Sequence, residues 1–112
     1  ENGNLESAIM HLRWAIENSA EADVKHVAGL RLARILIAQK KYDEAESILR
    51  SEHPAAFTAG YEELKGDLYV ARGEIAQARA AYDKAIKAAD GSPGRWLLLK
   101  RQDLGSVELD HS

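Results

Sequence analysis

The amino-acid sequence predicts an all-α protein of antiparallel helix pairs stacked side by side and closed by a C-terminal capping helix. Three observations predict it. Apolar residues recur at i, i+3, i+4 and i+7, the spacing of one helix face. No segment alternates with period two for long enough to make a strand. A short motif ending in a small residue returns along the chain, as Asn4-Leu5-Glu6-Ser7-Ala8, Lys41-Tyr42-Asp43-Glu44-Ala45 and Glu74-Ile75-Ala76-Gln77-Ala78. Its alanines stand 37 and 33 residues apart, which brackets the length of about 34 residues typical of a helix-turn-helix repeat.

The elements follow in order. Residues 1–21 read as the second half of a truncated repeat, with the stripe Leu5, Ala8, Ile9, Leu12, Ala15 and Ile16. Its first helix would precede Glu1, so the sequence is expected to be a fragment of a longer protein. Residues 22–58 read as a repeat. Its first helix carries Val24, Val27, Ala28, Leu32, Ile35 and Leu36, with Leu30 and Ile37 widening the stripe. Its second carries Tyr42, Ala45 and Leu49 and is cut short by Pro54. Residues 59–92 give the fullest repeat: Tyr61, Leu64, Gly66, Leu68 and Tyr69, a turn at Gly73, then Ile75, Ala78, Tyr82, Ala85 and Ile86. Residues 93–104 form the capping helix, and 105–112 a polar, flexible tail. Pro54 and Pro93 sit where a helix could begin, because the first helical position needs no N–H. Gly3, Gly73 and Gly91 mark further boundaries. The recurring alanine has a steric role: where two helices cross closely, only a small residue lets the backbones approach.

Composition narrows the function. Of 112 residues, 46% are hydrophobic and 29% charged with both signs mixed, as in a globular chain rather than a disordered one. A net charge of -3 is no footprint for nucleic acid, which calls for a basic, clustered face. Without cysteine there are no disulfides and no thiolate metal sites. The longest apolar runs, such as Ile35–Ala38 and Leu97–Leu99, are far too short to cross a bilayer. Chemistry finds little support. His11, His26, His53 and His111 include no pair at i, i+3 or i+4, the spacing a zinc-binding helix uses. Gly91-Ser92-Pro93-Gly94 reads as a helix stop and turn rather than a phosphate loop. The serines lack a nucleophile-elbow context. Asp43, Glu44 and Glu46 lie at the start of a helix, where its dipole favours acids without any acid–base role. No catalytic residue, metal or cofactor is expected.

Residues 59–92 resemble a complete tetratricopeptide repeat, with Gly66, Tyr69, Ala78, Tyr82 and Ala85 at the family's small and aromatic positions. The resemblance implies an α-solenoid. A more particular likeness follows from Gly29-Leu30-Arg31-Leu32-Ala33-Arg34, Tyr61-Glu62-Glu63-Leu64-Lys65-Gly66-Asp67, Gly73-Glu74-Ile75-Ala76-Gln77-Ala78-Arg79 and Leu99-Lys100-Arg101-Gln102-Asp103-Leu104. In that order they resemble the YfgM family, the ancillary subunit of the bacterial Sec translocon. The resemblance implies a non-catalytic interaction scaffold on the periplasmic side of the inner membrane, held by an anchor absent from this sequence. It implies SecYEG and a membrane-anchored periplasmic chaperone as partners. A generic repeat adaptor in a cytosolic complex is the alternative, and a small helical enzyme the remote one.

In such a stack the first helices line a concave groove. By the repeat register the groove residues are Val27, Leu30, Arg34 and Ile37, then Glu63, Asp67 and Val70, with Leu97 and Arg101 from the cap. Arg34 faces either a partner carboxylate or Glu63 and Asp67. The acidic pair argues against gripping a peptide's terminal carboxylate, as some repeat co-chaperones do. Trp96 matches a core position. Trp14 points outward or toward a preceding helix; uncovered, it would form an apolar patch with Leu5, Ile9 and Leu12 and favour self-association.

Overall fold

A computed structural model describes residues 2–89 and 92–104. Among these residues six α-helices follow one another: α1 (Asn2–Asn18), α2 (Ala22–Ala38), α3 (Tyr42–Leu49), α4 (Thr58–Arg72), α5 (Ile75–Ala88) and α6 (Arg95–Asp103). One 3-10 turn, Ala55–Phe57, precedes α4. Among the described residues no strand occurs, and the chain is all-α. It divides into two compact units, residues 1–53 and 54–112. The division falls at His53-Pro54, where proline removes an N–H and disfavours helical backbone at the residue before it.

In the first unit α2 lies between α1 and α3. Its buried face is Ala28, Gly29, Leu32, Ala33 and Leu36. Leu32, Leu36 and Ala45 form a core, packed by Ile9, Leu12 and Ile16 of α1 and by Ile37 and Ile48. Burying each leucine stabilises the unit by roughly 1.5–3 kcal/mol. The Arg13–Glu44 ion pair that joins α1 to α3 is half exposed and adds little.

In the second unit Tyr61, Leu64 and Leu68 of α4 meet Ala78, Ala81, Tyr82 and Ala85 of α5, all buried. Here the crossing is close. A Cβ added to Gly66 would stand within 3.0 Å of three atoms of the Tyr82 ring, so glycine is required at that position. Helix α6 closes the unit through Leu97, which clusters with Tyr82 and Ala85, with Ile86 and Leu104 at the edge.

The turns after α2 and α4 repeat one design. After α4, Gly73 adopts φ 81° and Glu74 N donates to Tyr69 O at 2.8 Å. After α2, Lys41 N donates to Leu36 O at 2.8 Å while Lys40 takes φ 65°. Both are left-handed helix stops, 33 residues apart, one with glycine and one without.

Several expectations need correction. Gly3 lies inside the first turn of α1 rather than at a boundary, where a glycine costs only about 1 kcal/mol of propensity. Pro54 leads into the 3-10 turn, closed by Phe57 N donating to Pro54 O, so α4 starts only at Thr58. Pro93 likewise stands two residues before α6. Trp96 is 75% exposed, not packed. The inward residue of α6 is Leu97, with Leu104 just past its end, and one residue along a helix turns the side chain by about 100°. Gly91 and the tail 105–112 lie outside the described residues.

Candidate protein-interaction surface

On α2 the spacing 27, 30, 34, 37 sets four side chains along one flank of the helix. Val27 is 40% exposed, Arg34 is exposed, and Leu30 and Ile37 are half-buried. Ile37 leans on the Leu32–Leu36–Ala45 core. Between α1 and α2 runs an apolar trough made of two hollows, of about 320 and 470 Å³, that share Leu12 and Arg31 as walls. Ala8, His11, Leu12 and Ala15 line it from α1. Asp23, Val24, Val27, Ala28, Arg31, Arg34 and Ile35 line it from α2. Of the residues expected to face a partner, Val27 and Arg34 therefore stand together in a real depression. Ala15 and Arg31 were not among the expected interaction residues; Ala15 lies on a stripe that at helical spacing reads first as core.

On α4 the placement differs. Val70 is 40% exposed. Glu63 and Asp67 are half-buried and engaged within their own unit. Lys100 Nζ of α6 donates to Glu63 Oε2 at 2.8 Å and to Asp67 Oδ2 at 3.0 Å. The Tyr82 hydroxyl of α5 donates to Asp67 Oδ1 at 2.5 Å. Burial and the Asp67 hydrogen bond push the Tyr82 phenol well above its ordinary pKa, and the charges of Asp67 and Glu63 add to this. For Lys100, burial works against the ammonium, but the hydrogen bonds to Glu63 and Asp67 outweigh it and raise its pKa. Lys100 was not among the expected site residues, and a lysine on a short cap gives no sequence signal of its own.

The cap's two expected residues divide. Arg101 Nε donates to Asp83 Oδ1 at 2.7 Å, an exposed tie from α6 to α5. Leu97 is a correction: at 4% exposed it is core, because its face of α6 is the one turned onto Tyr82 and Ala85. It offers a partner nothing. Met10 and Trp14, four residues apart on α1, are 68% and 65% exposed. Among the described residues no group of three or more His, Cys, Asp or Glu could hold a metal ion, and no helix is long and apolar enough to cross a membrane. His111 lies outside the described residues.

Residues 1–106 match the family profile "Tetratricopeptide repeat-like domain". The chain belongs to that tetratricopeptide repeat-like family. The family is one of non-catalytic scaffolds. The chain is 35% identical over 94 residues to the "Ancillary SecYEG translocon subunit" of Neisseria gonorrhoeae, covering 83% of this chain and 45% of the relative. It is 26% identical to the protein of the same name from Escherichia coli, over 79% of this chain and 43% of the relative. It is 28% identical to that of Buchnera aphidicola, over 73% and 42%. The chain thus spans less than half the length of these relatives. No solved structure matches it.

Proposed function

We propose that this repeat-like chain is the protein-binding part of an ancillary translocon subunit, working beside SecYEG on the periplasmic side of the bacterial inner membrane. A membrane-anchored periplasmic chaperone is the second proposed partner. The observation that carries the reading is the 35% identity, over 83% of this chain, to a relative named for SecYEG. The surface fits a binding role. In the first unit, exposed Val27 and half-buried Leu30 and Ile37 offer apolar area for a helix or extended segment of another protein. Arg34, exposed and without an ion pair among the described residues, offers a cation to a partner's carboxylate.

Affinity capture of translocon components by the full-length protein tests this. Arg34→Glu combined with Leu30→Asp is expected to lower capture at least five-fold while the helical circular dichroism stays intact. Unchanged capture would take the α2 flank out of the binding surface. Cross-linking of the full-length protein in its native membrane that yields no SecYEG product would overturn the translocon assignment itself.

A further inference from the structure

The two units hold the helix that follows a recurring register very differently. Ala8, Leu12 and Ala15 of α1 stand each 70 residues before Ala78, Tyr82 and Ala85 of α5, and a further helix follows in both places, α2 after α1 and α6 after α5. Helix α2 is 17 residues long and buries five of them. Helix α6 is nine residues long and buries one, Leu97. Helices shorter than roughly 12–15 residues are marginal in water by themselves, so α6 depends on docking for its form. Its largest side chain, Trp96, stays outside, and Leu98 with it.

The seat beneath α6 has a definite chemistry. Its floor is apolar, Tyr82 and Ala85 with Ile86 at the edge. Three carboxylates rim it, Glu63 and Asp67 of α4 and Asp83 of α5. Leu97 covers the floor, Lys100 three residues on bridges Glu63 and Asp67, and Arg101 beside it meets Asp83. The Tyr82 hydroxyl donates to Asp67 and so fixes the carboxylate that receives the ammonium. Apart from Leu97 these ties lie at a partly exposed edge, where an ion pair adds little net stability.

We infer that α6 is a displaceable stand-in for a partner's helix. It closes the seat on α4 and α5 until a segment of another protein takes its place with the same anchors, an apolar residue followed three and four residues later by lysine and arginine. The inference rests on the proposed reading of this chain as a protein-binding module; it supplies the chemistry of one partner and an autoinhibitory contact. Three carboxylates around an apolar floor admit a basic amphipathic helix and repel an acidic one. A partner that binds only the vacated seat has its apparent affinity reduced by the fraction of chains in which α6 is out, so loosening α6 raises that affinity. Glu63 and Asp67, expected from the repeat register to face a partner, do so once α6 has left. The α2 flank, with Arg34, selects the opposite charge.

The probe is a fluorescent peptide that copies residues 93–104, offered to the whole chain of residues 1–112. Lys100→Glu sets a further carboxylate beside Glu63 and Asp67 and is expected to expel α6. This variant should bind the peptide at least ten-fold more tightly than the unsubstituted chain. A peptide that itself carries Lys100→Glu should bind the variant at least ten-fold more weakly than the original peptide does. Equal affinity in either comparison would overturn the inference. If the Lys100→Glu chain fails to fold, amide hydrogen exchange of the unsubstituted, isotope-labelled chain decides. Saturating peptide is expected to speed exchange in α6 at least ten-fold while α4 and α5 keep their protection. Unchanged exchange in α6, or equal acceleration in all three helices, would sink the proposal. No translocon component enters these measurements, so a failed translocon assignment would leave their outcome as it is.

Discussion

The two units carry one helical pattern in two states of completion. Around Tyr82 the alanine-aromatic-alanine register is fully buried, with Gly66 of α4 and Leu97 of α6 among its neighbours, whereas around Leu12 the same register faces an open trough. The difference teaches that a stripe of small and large apolar residues records which face of a helix is shaped for burial. It does not record which neighbour does the burying. The turns repeat the lesson on a smaller scale: the left-handed stop after α4 has the residue such geometry favours, and the stop after α2 holds a lysine there.

The comparison can be broken at three levels. The largest effect is expected at the crossings. Ala78→Leu should cost on the order of 1–3 kcal/mol by overpacking a site with no free surface. Ala8→Leu, at the open register position, should stay within about 0.5 kcal/mol. Urea denaturation followed by circular dichroism measures both, and equal losses would mean the two positions are not counterparts. The turns come next. Gly73→Ala should lose about 1 kcal/mol, because an added Cβ strains the left-handed backbone, while Lys40→Gly should gain a similar amount. Opposite shifts in melting temperature would confirm the paired design.

The smallest effect is alkaline. Tyr82 and Lys100 both hold their protons more tightly folded than unfolded. Their contribution is therefore fully present below the unfolded pKa values of about 10 and 10.4, and is lost as pH rises through the higher folded ones. The second unit should lose stability above about pH 10, and Tyr82→Phe should shrink that loss. A pH profile identical in the variant would remove the phenol from the account.

The helices were legible because their stripes are regular and their turns carry glycine or a nearby proline. Ala45 and Ala78, singled out by recurrence alone, are both 0% exposed. Helix starts near Pro54 and Pro93 were less legible, since a proline marks a break without fixing how many residues pass before the next helix begins. On α6 a nine-residue helix with three consecutive leucines gives no stable periodicity, so Trp96 and Leu97 exchanged roles between core and surface. For the candidate surface, the register named Val27, Arg34 and Val70 as groove residues, and all three are exposed. It could not foresee Lys100, whose meaning depends on a contact 33 residues back along the chain at Asp67.

Asp67 touches side chains of two other helices at once, accepting from Tyr82 on α5 and from Lys100 on α6. Any assay that replaces this aspartate in order to probe ligand capture will also loosen the clasp between three helices. Reduced capture by such a variant would report unfastening as much as lost contact. Substitutions at Leu30 and Val70, which share none of these bonds, are the ones whose outcome speaks to recognition alone.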